Sequence, residues 1–232
     1  MRNVGVYYLR GTGTAKDSLA AFEWSRRAAE AGDVPSMART ADCFMTGTGV
    51  AADARAAFDW IRRAAEANDV DSQYNLGALY ENGTGVAVDK SAAVMWFRRA
   101  ADQGSADAQH NLGVCYETGQ GVAVNISGAF EWYSRTAEAG HAGAQFNLGL
   151  CYVLGKGVAA DARVAVEWYR RAAEAEDARV QLKLGVCYAN GVGVAADARV
   201  AAEWLERAAA SSDAEVAEKA RAALASIRPC DP

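Results

Sequence analysis

The chain has 232 residues, of which 51% are hydrophobic and 23% are charged, and its formal net charge is −5. Lysine and arginine are scattered along the chain, which argues against a nucleic-acid partner, because such proteins need a basic stripe to neutralise phosphates. No stretch approaches the ~20 apolar residues of a membrane-spanning helix, so we expect no direct membrane insertion. The opening residues, MRNVGVYYLRGTG, lack the apolar segment of a signal peptide.

Two columns of residues recur every 36 residues along the whole chain, without any insertion. The tryptophans are Trp24, Trp60, Trp96, Trp132, Trp168 and Trp204, and the first glycines of a G-x-G pair are Gly11, Gly47, Gly83, Gly119, Gly155 and Gly191. A fixed period in this range predicts an all-α solenoid of helix-turn-helix repeats. We expect one solenoid over residues 1–228, with units 1–32 (truncated at its start), 33–68, 69–104, 105–140, 141–176 and 177–212.

The first half of each unit predicts a helix with one apolar face. In the unit 105–140, Ala108, Leu112 and Cys115 recur at helical spacing. Gly113 follows the leucine, and we expect its missing Cβ to let another helix approach closely. The same column holds Gly5, Gly77, Gly149 and Gly185, with Ala41 as the only substitute.

A G-x-G turn and an N-cap residue then begin a second helix. The predicted caps are Asp17, Asp53, Asp89, Asn125, Asp161 and Asp197. Since the tryptophans follow these caps at helical spacing beside small apolar residues, we interpret them as core. The second helices end at Gly32, Asn68, Gly104 and Gly140, which suit a left-handed C-cap. Glu176 and Ser212 break that column, so we expect looser or differently closed junctions there.

The next unit's first helix is again predicted to begin at an N-cap residue. The candidates are Asp33, Asp69, Ser105, Asp177 and Asp213, with His141 as the exception. After Asp213, the segment 213–228 predicts a polar capping helix, and residues 229–232 form a tail. Met1 falls inside the first helix of its unit, which suggests a fragment of a longer array. We therefore expect possible self-association through an uncapped N-terminal edge, and an upstream targeting signal could be missing.

Cysteines occupy one column of the repeat, at Cys43, Cys115, Cys151 and Cys187. Members of the column lie one repeat apart, and stacked helices at roughly 8–10 Å are too distant for a disulfide. We expect small buried side chains with free thiols, which indicates a reducing compartment and, by default, the cytoplasm. Cys230 in the tail is expected to be exposed.

These columns together resemble the Sel1-like repeat family, which is related to the tetratricopeptide repeats. The residues that carry the family pattern in one unit are Ala108, Leu112, Gly113, Tyr116, Gly119, Gly121, Val122, Asn125, Ala129, Trp132, Ala137 and Gly140. The resemblance covers essentially the whole chain. It implies a right-handed superhelix of antiparallel helix pairs that serves as a scaffold for protein–protein interactions. Some bacterial members carry paired cysteines in each repeat, and this chain lacks those pairs.

Enzyme motifs are not found in the sequence. His110 and His141 are the only histidines and lie outside metal-binding spacings, and residues 11–18, GTGTAKDS, lack the end of a phosphate loop. We therefore predict no catalytic residue, no metal site and no cofactor. A hydrolase remains a remote alternative.

The predicted binding surface lies on the first helix of each repeat, away from its apolar face. One column there holds Asn3, Arg39, Asn75, Asn111, Asn147 and Lys183, and the preceding column includes Tyr74, His110 and Phe146. Amides spaced by one repeat could bind an extended peptide backbone, and aromatic side chains could anchor it. Alternatively, asparagine merely suits a polar helix edge, and the neighbouring column varies because nothing constrains it. Glu81 and Glu117 would bias the surface towards basic or polar ligands.

The function predicted from these residues is a non-enzymatic scaffold or adaptor that binds a peptide or partner segment on the concave surface of the first helices. The alternative from a different class is a structural module that assembles through the ends or the convex surface of the solenoid.

Overall fold

The computed structural model describes residues 2–10 and 15–227, and for Arg2, Asn3, Leu9 and Arg10 it describes only the backbone. Over these ranges the chain forms helices and no strand, as the sequence predicts. The helices are α1 (Arg2–Arg10), α2 (Ser18–Glu30), α3 (Val34–Thr46), α4 (Ala54–Glu66), α5 (Val70–Asn82), α6 (Lys90–Asp102), α7 (Ala106–Thr118), α8 (Ile126–Glu138), α9 (Ala142–Leu154), α10 (Ala162–Ala173), α11 (Ala178–Asn190), α12 (Ala198–Ala209) and α13 (Ala214–Ile227).

The helices fall into two compact units, residues 1–124 with α1–α7 and residues 125–232 with α8–α13. Within each repeat we call the first helix the A helix (α1, α3, α5, α7, α9, α11) and the second the B helix (α2, α4, α6, α8, α10, α12). The expectation of one solenoid over residues 1–228 stays a prediction, as do the truncated first unit and the tail. Asn3's side chain, Met1, Gly11 and Cys230 lie outside the described residues.

Every B helix begins at the predicted N-cap residue. Asp53, for example, accepts a hydrogen bond from the backbone N–H of Ala56 at 3.0 Å, and its own N–H donates to the carbonyl of Phe44 at 2.9 Å. The other caps are Asp17, Asp89, Asn125, Asp161 and Asp197. The cap therefore joins the two helices of a repeat as well as satisfying an orphan donor.

The second glycine of the turn is required by a close backbone approach. Gly85 has a φ of +70°, and a Cβ there would lie 2.0 Å from the carbonyl oxygen of Ala54, which begins the B helix of the preceding repeat. Since no side chain fits in that space, this glycine sets the contact between consecutive repeats.

The glycine of the A helix admits a large side chain from the B helix of its own repeat, as predicted. A Cβ at Gly77 would lie 2.6 Å from the Phe97 ring, and one at Gly149 would lie 2.5 Å from the Tyr169 ring. Phe97 and Tyr169 are almost completely buried. Glycine lowers the helix propensity of the A helix, and the burial of the aromatic ring offsets that cost.

The prediction that all six tryptophans form the core was too broad. Trp96 is buried with 6% of its surface exposed, whereas the other five, including Trp132, are half-buried. The deepest position of the B helix belongs to the following residue, as Phe97, Tyr133 and Tyr169 show. Because both residues lie on adjoining parts of the apolar stripe, the helical period alone does not distinguish them.

The predictions for two junctions need adjustment. Glu176 adopts the same left-handed conformation as the glycines, with a φ of +61°, but α10 and α12 each end one residue earlier than the other B helices. The junctions at Glu176 and Ser212 are therefore differently closed. His141 was wrongly treated as an exception, because its Nδ1 accepts a hydrogen bond from the backbone N–H of Ala144 at 3.1 Å and caps α9. A neutral imidazole offers one acceptor nitrogen, which suffices for this role.

A column of buried glutamines ties three of the A helices to the preceding B helix, and the sequence did not single it out. The Nε2 atoms of Gln73, Gln109 and Gln145 donate to the carbonyls of Ala65, Ala101 and Ala137 at 3.3, 3.1 and 3.2 Å. Each of these carbonyls also accepts a hydrogen bond from a backbone N–H just after its helix, that of Asn68, Gly104 or Gly140. The glutamine adds a second donor near the end of the B helix and thereby links consecutive repeats.

The C-terminal helix α13 packs on α12 and has a polar outer face, and its role as a capping helix stays a prediction. Its residues Val216, Ala217 and Ala220 are buried, whereas the charged residues Glu215, Glu218, Lys219 and Arg221 are exposed. The four cysteines of the repeat column are buried thiols, also as predicted.

Candidate binding surface

The structure places every residue of the predicted surface on an A helix. In the first unit these are Arg39 on α3, Tyr74 and Asn75 on α5, and His110 and Asn111 on α7. In the second unit they are Phe146 and Asn147 on α9 and Lys183 on α11. Asn75 and Lys183 are exposed, and the remaining six are half-buried.

In the first unit, Tyr74 connects two repeats. Its ring packs at 5.8 Å, centroid to centroid, against Phe97, and its hydroxyl lies near the Asn111 side chain on the next A helix. Burial is the main cause that raises the pKa of the Tyr74 hydroxyl, with Asp107 adding to it and Asn111 opposing it. The phenol is therefore neutral at physiological pH and approaches the amide column as a neutral hydroxyl.

Arg39 lines a cleft on α3 together with Pro35, Ala38, Asp42 and Cys43. One of its guanidinium nitrogens, Nη1, is buried without a hydrogen-bond partner among the described residues. Burial raises the pKa of the Asp42 carboxyl, and the charge of Arg39 opposes that rise. This member of the column therefore presents an unused donor.

In the second unit, Phe146 repeats the packing of Tyr74. Its ring lies 5.7 Å from the ring of Tyr169, and the two planes are inclined by 35°. Burial raises the pKa of the Tyr169 hydroxyl, with smaller contributions from Cys187 and Cys151. Tyr74 and Phe146 thus add to the packing of their repeats, and both side chains are half-buried.

Glu81, which the sequence placed near this surface, is half-buried and its carboxylate lies 3.7 Å from the Lys90 ammonium. Burial, and secondarily Glu81, raises the pKa of the Cys115 thiol to about 11. Part of the negative charge of Glu81 is thus offset within the first unit. Glu117 on α7 is half-buried as well.

Sequence reasoning missed a column of arginines stacked on the tryptophans. An arginine follows each tryptophan by three residues in all six repeats, a signal that was present as W-x2-R. The guanidinium carbon lies 4.5 Å from the ring centroid in the Arg99–Trp96 pair and 5.9 Å in the Arg135–Trp132 pair. The other pairs are Arg27–Trp24, Arg63–Trp60, Arg171–Trp168 and Arg207–Trp204. These cation–π contacts shield the exposed part of each indole.

Two features are absent from residues 2–10 and 15–227. No group of three or more histidine, cysteine, aspartate or glutamate side chains there could hold a metal ion. None of the helices in that part of the chain has the length and apolar character needed to cross a membrane.

The family model of the Sel1 repeat matches six consecutive segments, residues 1–33, 34–69, 70–105, 106–141, 142–177 and 178–213. The chain therefore belongs to the Sel1 repeat family, whose helical repeats typically bind other proteins. The matched family is a repeat family and not a catalytic one.

Solved structures support the same assignment. One of them is c5321, a protective antigen of uropathogenic Escherichia coli that displays an SLR fold. The two chains are 36% identical with a TM-score of 0.87, and the match covers 93% of this chain and 46% of c5321. A Sel1 repeat protein from Oxalobacter formigenes is 30% identical with a TM-score of 0.83, over 95% of this chain and 64% of that one. A putative Sel1 repeat protein from Klebsiella pneumoniae shares the fold. It is 20% identical with a TM-score of 0.55, over 87% of this chain and 98% of that one.

The chain thus spans about half of the Escherichia coli protein and less than two thirds of the Oxalobacter protein. Among proteins with a curated function, none matches the sequence significantly.

Proposed function

We propose that this chain is a non-enzymatic scaffold that binds a peptide or an extended segment of a partner protein on its A helices. The residues proposed to bind it are Arg39, Tyr74, Asn75, His110 and Asn111 in the first unit, and Phe146, Asn147 and Lys183 in the second. The proposal includes no cofactor and no nucleic acid, and it places the chain in a reducing compartment, by default the cytoplasm.

The observation that carries the proposal is the contrast between Asn75 and the other repeated polar residues. The aspartate caps, the buried glutamines and the stacked arginines all contact their own or a neighbouring repeat. Asn75 is exposed, and its side chain makes no hydrogen bond within the described part of the chain. Because a carboxamide both donates and accepts, Asn75 matches the pair of groups that an extended peptide backbone presents.

The test begins with a peptide selected from a random library displayed on phage, using the purified chain as bait. Its dissociation constant is then measured by calorimetry for the parent, for Asn75→Ala with Asn111→Ala, and for Asn147→Ala with Lys183→Ala. The control is Asn82→Ala with Asn190→Ala, since both residues are exposed asparagines at the ends of A helices.

We expect at least one column variant to bind about tenfold more weakly, which corresponds to the loss of one or two hydrogen bonds. The control should bind like the parent, and circular dichroism should show every variant folded. Selected peptides that bind all four proteins equally would place the binding surface elsewhere.

The alternative of an assembly module is supported by one observation, the exposure of 49% of Tyr7 on α1. Under this alternative, sedimentation velocity would show oligomers that grow with concentration and that Tyr7→Ser weakens. A monomer at all concentrations would leave the scaffold as the better account.

A further inference from the structure

A cleft in the second unit lies where α10 ends, α11 begins and α12 completes its last turn. Its lining includes Glu174, Glu176, Gln181, Trp204, Arg207 and Ser211, and its volume is ≈ 690 Å³. All of these residues belong to the second unit, and none of them is part of the A-helix surface proposed above.

The first unit contains the equivalent cleft three repeats earlier, with a smaller volume of ≈ 430 Å³, and there the side chain of Gln103 lines it and bonds with its polar groups. Gln103 inserts its carboxamide, whose Nε2 donates to the Gln73 side-chain oxygen at 2.7 Å, to the Asn68 side-chain oxygen at 3.2 Å and to the Arg99 carbonyl at 3.3 Å. The NH₂ group thus shares its two hydrogens among three acceptors.

The second unit keeps the acceptors and loses this donor. Ser211 stands where the first unit has Gln103, and Glu176 stands where it has Asn68. Gln181, the counterpart of Gln73, is only 5% exposed and makes no side-chain hydrogen bond within the described residues. Its amide is not among the fully buried unpaired groups of the described residues, so the small exposed part of this side chain lies at the cleft, which Gln181 lines.

The groups around the cleft determine what could replace the missing donor. The carboxylates of Glu174 and Glu176 line it, and the last carbonyls of α10 and α12, at the negative ends of those helices, are close by. The guanidinium of Arg207 lies 4.7 Å from the centroid of the Trp204 ring and is thereby held against the indole. The cleft therefore offers mainly acceptors and negative charge to an entering group.

We propose that this cleft binds an arginine side chain of a partner protein, with the guanidinium occupying the place that the Gln103 carboxamide fills in the first unit. A guanidinium presents five N–H donors in a planar fork, so one group can donate to the Gln181 oxygen and to the Glu176 carboxylate together. Its charge complements the two glutamates, which a neutral amide would not do.

The probe for the test is N-acetyl-arginine amide, titrated into the isotope-labelled chain while the side-chain NH₂ signals of Gln181 and the indole N–H of Trp204 are followed by NMR. N-acetyl-citrulline amide is the matched neutral probe, because citrulline has the same shape without the charge. We expect saturable shifts with the arginine probe and a dissociation constant at least about ten times higher with the citrulline probe.

Two variants complete the test. Ser211→Gln restores the side chain of the first unit and should abolish the shifts while the chain stays folded, whereas Ser211→Ala should leave binding unchanged. Non-saturable shifts, equal affinity for the two probes, or full binding to Ser211→Gln would each overturn the proposal. None of these results bears on the A-helix surface, whose variants are separate.

Discussion

At the residue scale, the tryptophan column shows that one position of the repeat is buried in one copy and half-buried in others. Trp96 packs in a cluster with Phe58, Ile61 and Leu76 and is 6% exposed. Trp132 is half-buried and has the Arg135 guanidinium against its ring. The same residue type therefore contributes core packing in one repeat and a partly shielded surface in another.

This difference predicts unequal costs of truncation. Trp96→Ala should lower the free energy of unfolding by about 3–5 kcal/mol, since it leaves a large cavity. Trp132→Ala should cost about 1–3 kcal/mol, because less apolar surface is lost from the interior. Urea unfolding followed by circular dichroism measures both, and equal costs for the two variants would contradict the burial described here.

Glu176 is a second residue whose conformation carries a prediction. Its φ of +61° is the left-handed conformation that glycine adopts at Gly32, Gly104 and Gly140, and it costs a residue with a Cβ roughly 1 kcal/mol. Glu176→Gly should therefore raise the free energy of unfolding by several tenths to about 1 kcal/mol.

The matched control for that variant is Ala175→Gly, at a neighbour that has no positive φ. This change should be neutral or destabilising, because glycine only adds freedom to the unfolded chain there. If Glu176→Gly destabilised the protein as much as Ala175→Gly does, the left-handed strain at this junction would be disproved.

At the element scale, the packing of each A helix on its B helix depends on the residue opposite the A-helix glycine. Gly77 faces Phe97 with no room for a Cβ. At the equivalent positions the second repeat has Ala41 and Ile61, which lie in one cluster, and isoleucine is smaller than phenylalanine. A larger residue at one of these two positions therefore requires a smaller residue at the other.

A double-mutant cycle tests this coupling. Gly77→Ala should destabilise the chain by about 1–3 kcal/mol through overpacking, and adding Phe97→Ile should recover part of that loss by reproducing the pair of the second repeat. We expect a coupling free energy of about 1 kcal/mol or more from the four urea denaturation curves. Strictly additive effects would show that the two side chains do not meet.

The sequence predicted the elements well, because caps, turns and the glycine of the A helix are local signals repeated in several copies. Asp53 and Gly77 could be assigned from their spacing alone. The sequence could not predict that Gln73 and Tyr74 bridge neighbouring repeats, since their partners Ala65 and Asn111 are set by the distance between stacked helices. His141 was missed as a cap because it is rare in that role.

At the scale of the whole molecule, buried thiols recur in both units. Cys43, Cys115, Cys151 and Cys187 are all buried thiols. Burial raises the pKa of Cys43 and Cys187 as well as that of Cys115, which reaches about 11. Since the thiolate is the reactive form, these cysteines should be inert in the folded chain.

Site-resolved alkylation with iodoacetamide checks this expectation. At pH 8 the four cysteines should stay unmodified in the native chain and react in urea, and the native rate at Cys115 should rise as the pH approaches 11. Rapid modification of the native chain at pH 8, read by mass spectrometry of each peptide, would mean that the cysteine column is accessible.

The candidate surface could be predicted only as a set of positions. Periodicity indicated that Asn75, Asn111 and Asn147 share one face of their helices, but it could not indicate that Asn111 lies near the Tyr74 hydroxyl and that Asn75 is exposed. Those differences depend on the side chains of the neighbouring helix in each repeat.

The central claim is that a partner segment binds on the A helices. Amide hydrogen exchange of the chain with and without a selected peptide tests it most directly, since exchange reports protection helix by helix. We predict added protection in A helices, such as Val70–Asn82, Ala106–Thr118 or Ala142–Leu154, and unchanged exchange in B helices. Protection confined to B helices or to α13 would contradict the claim.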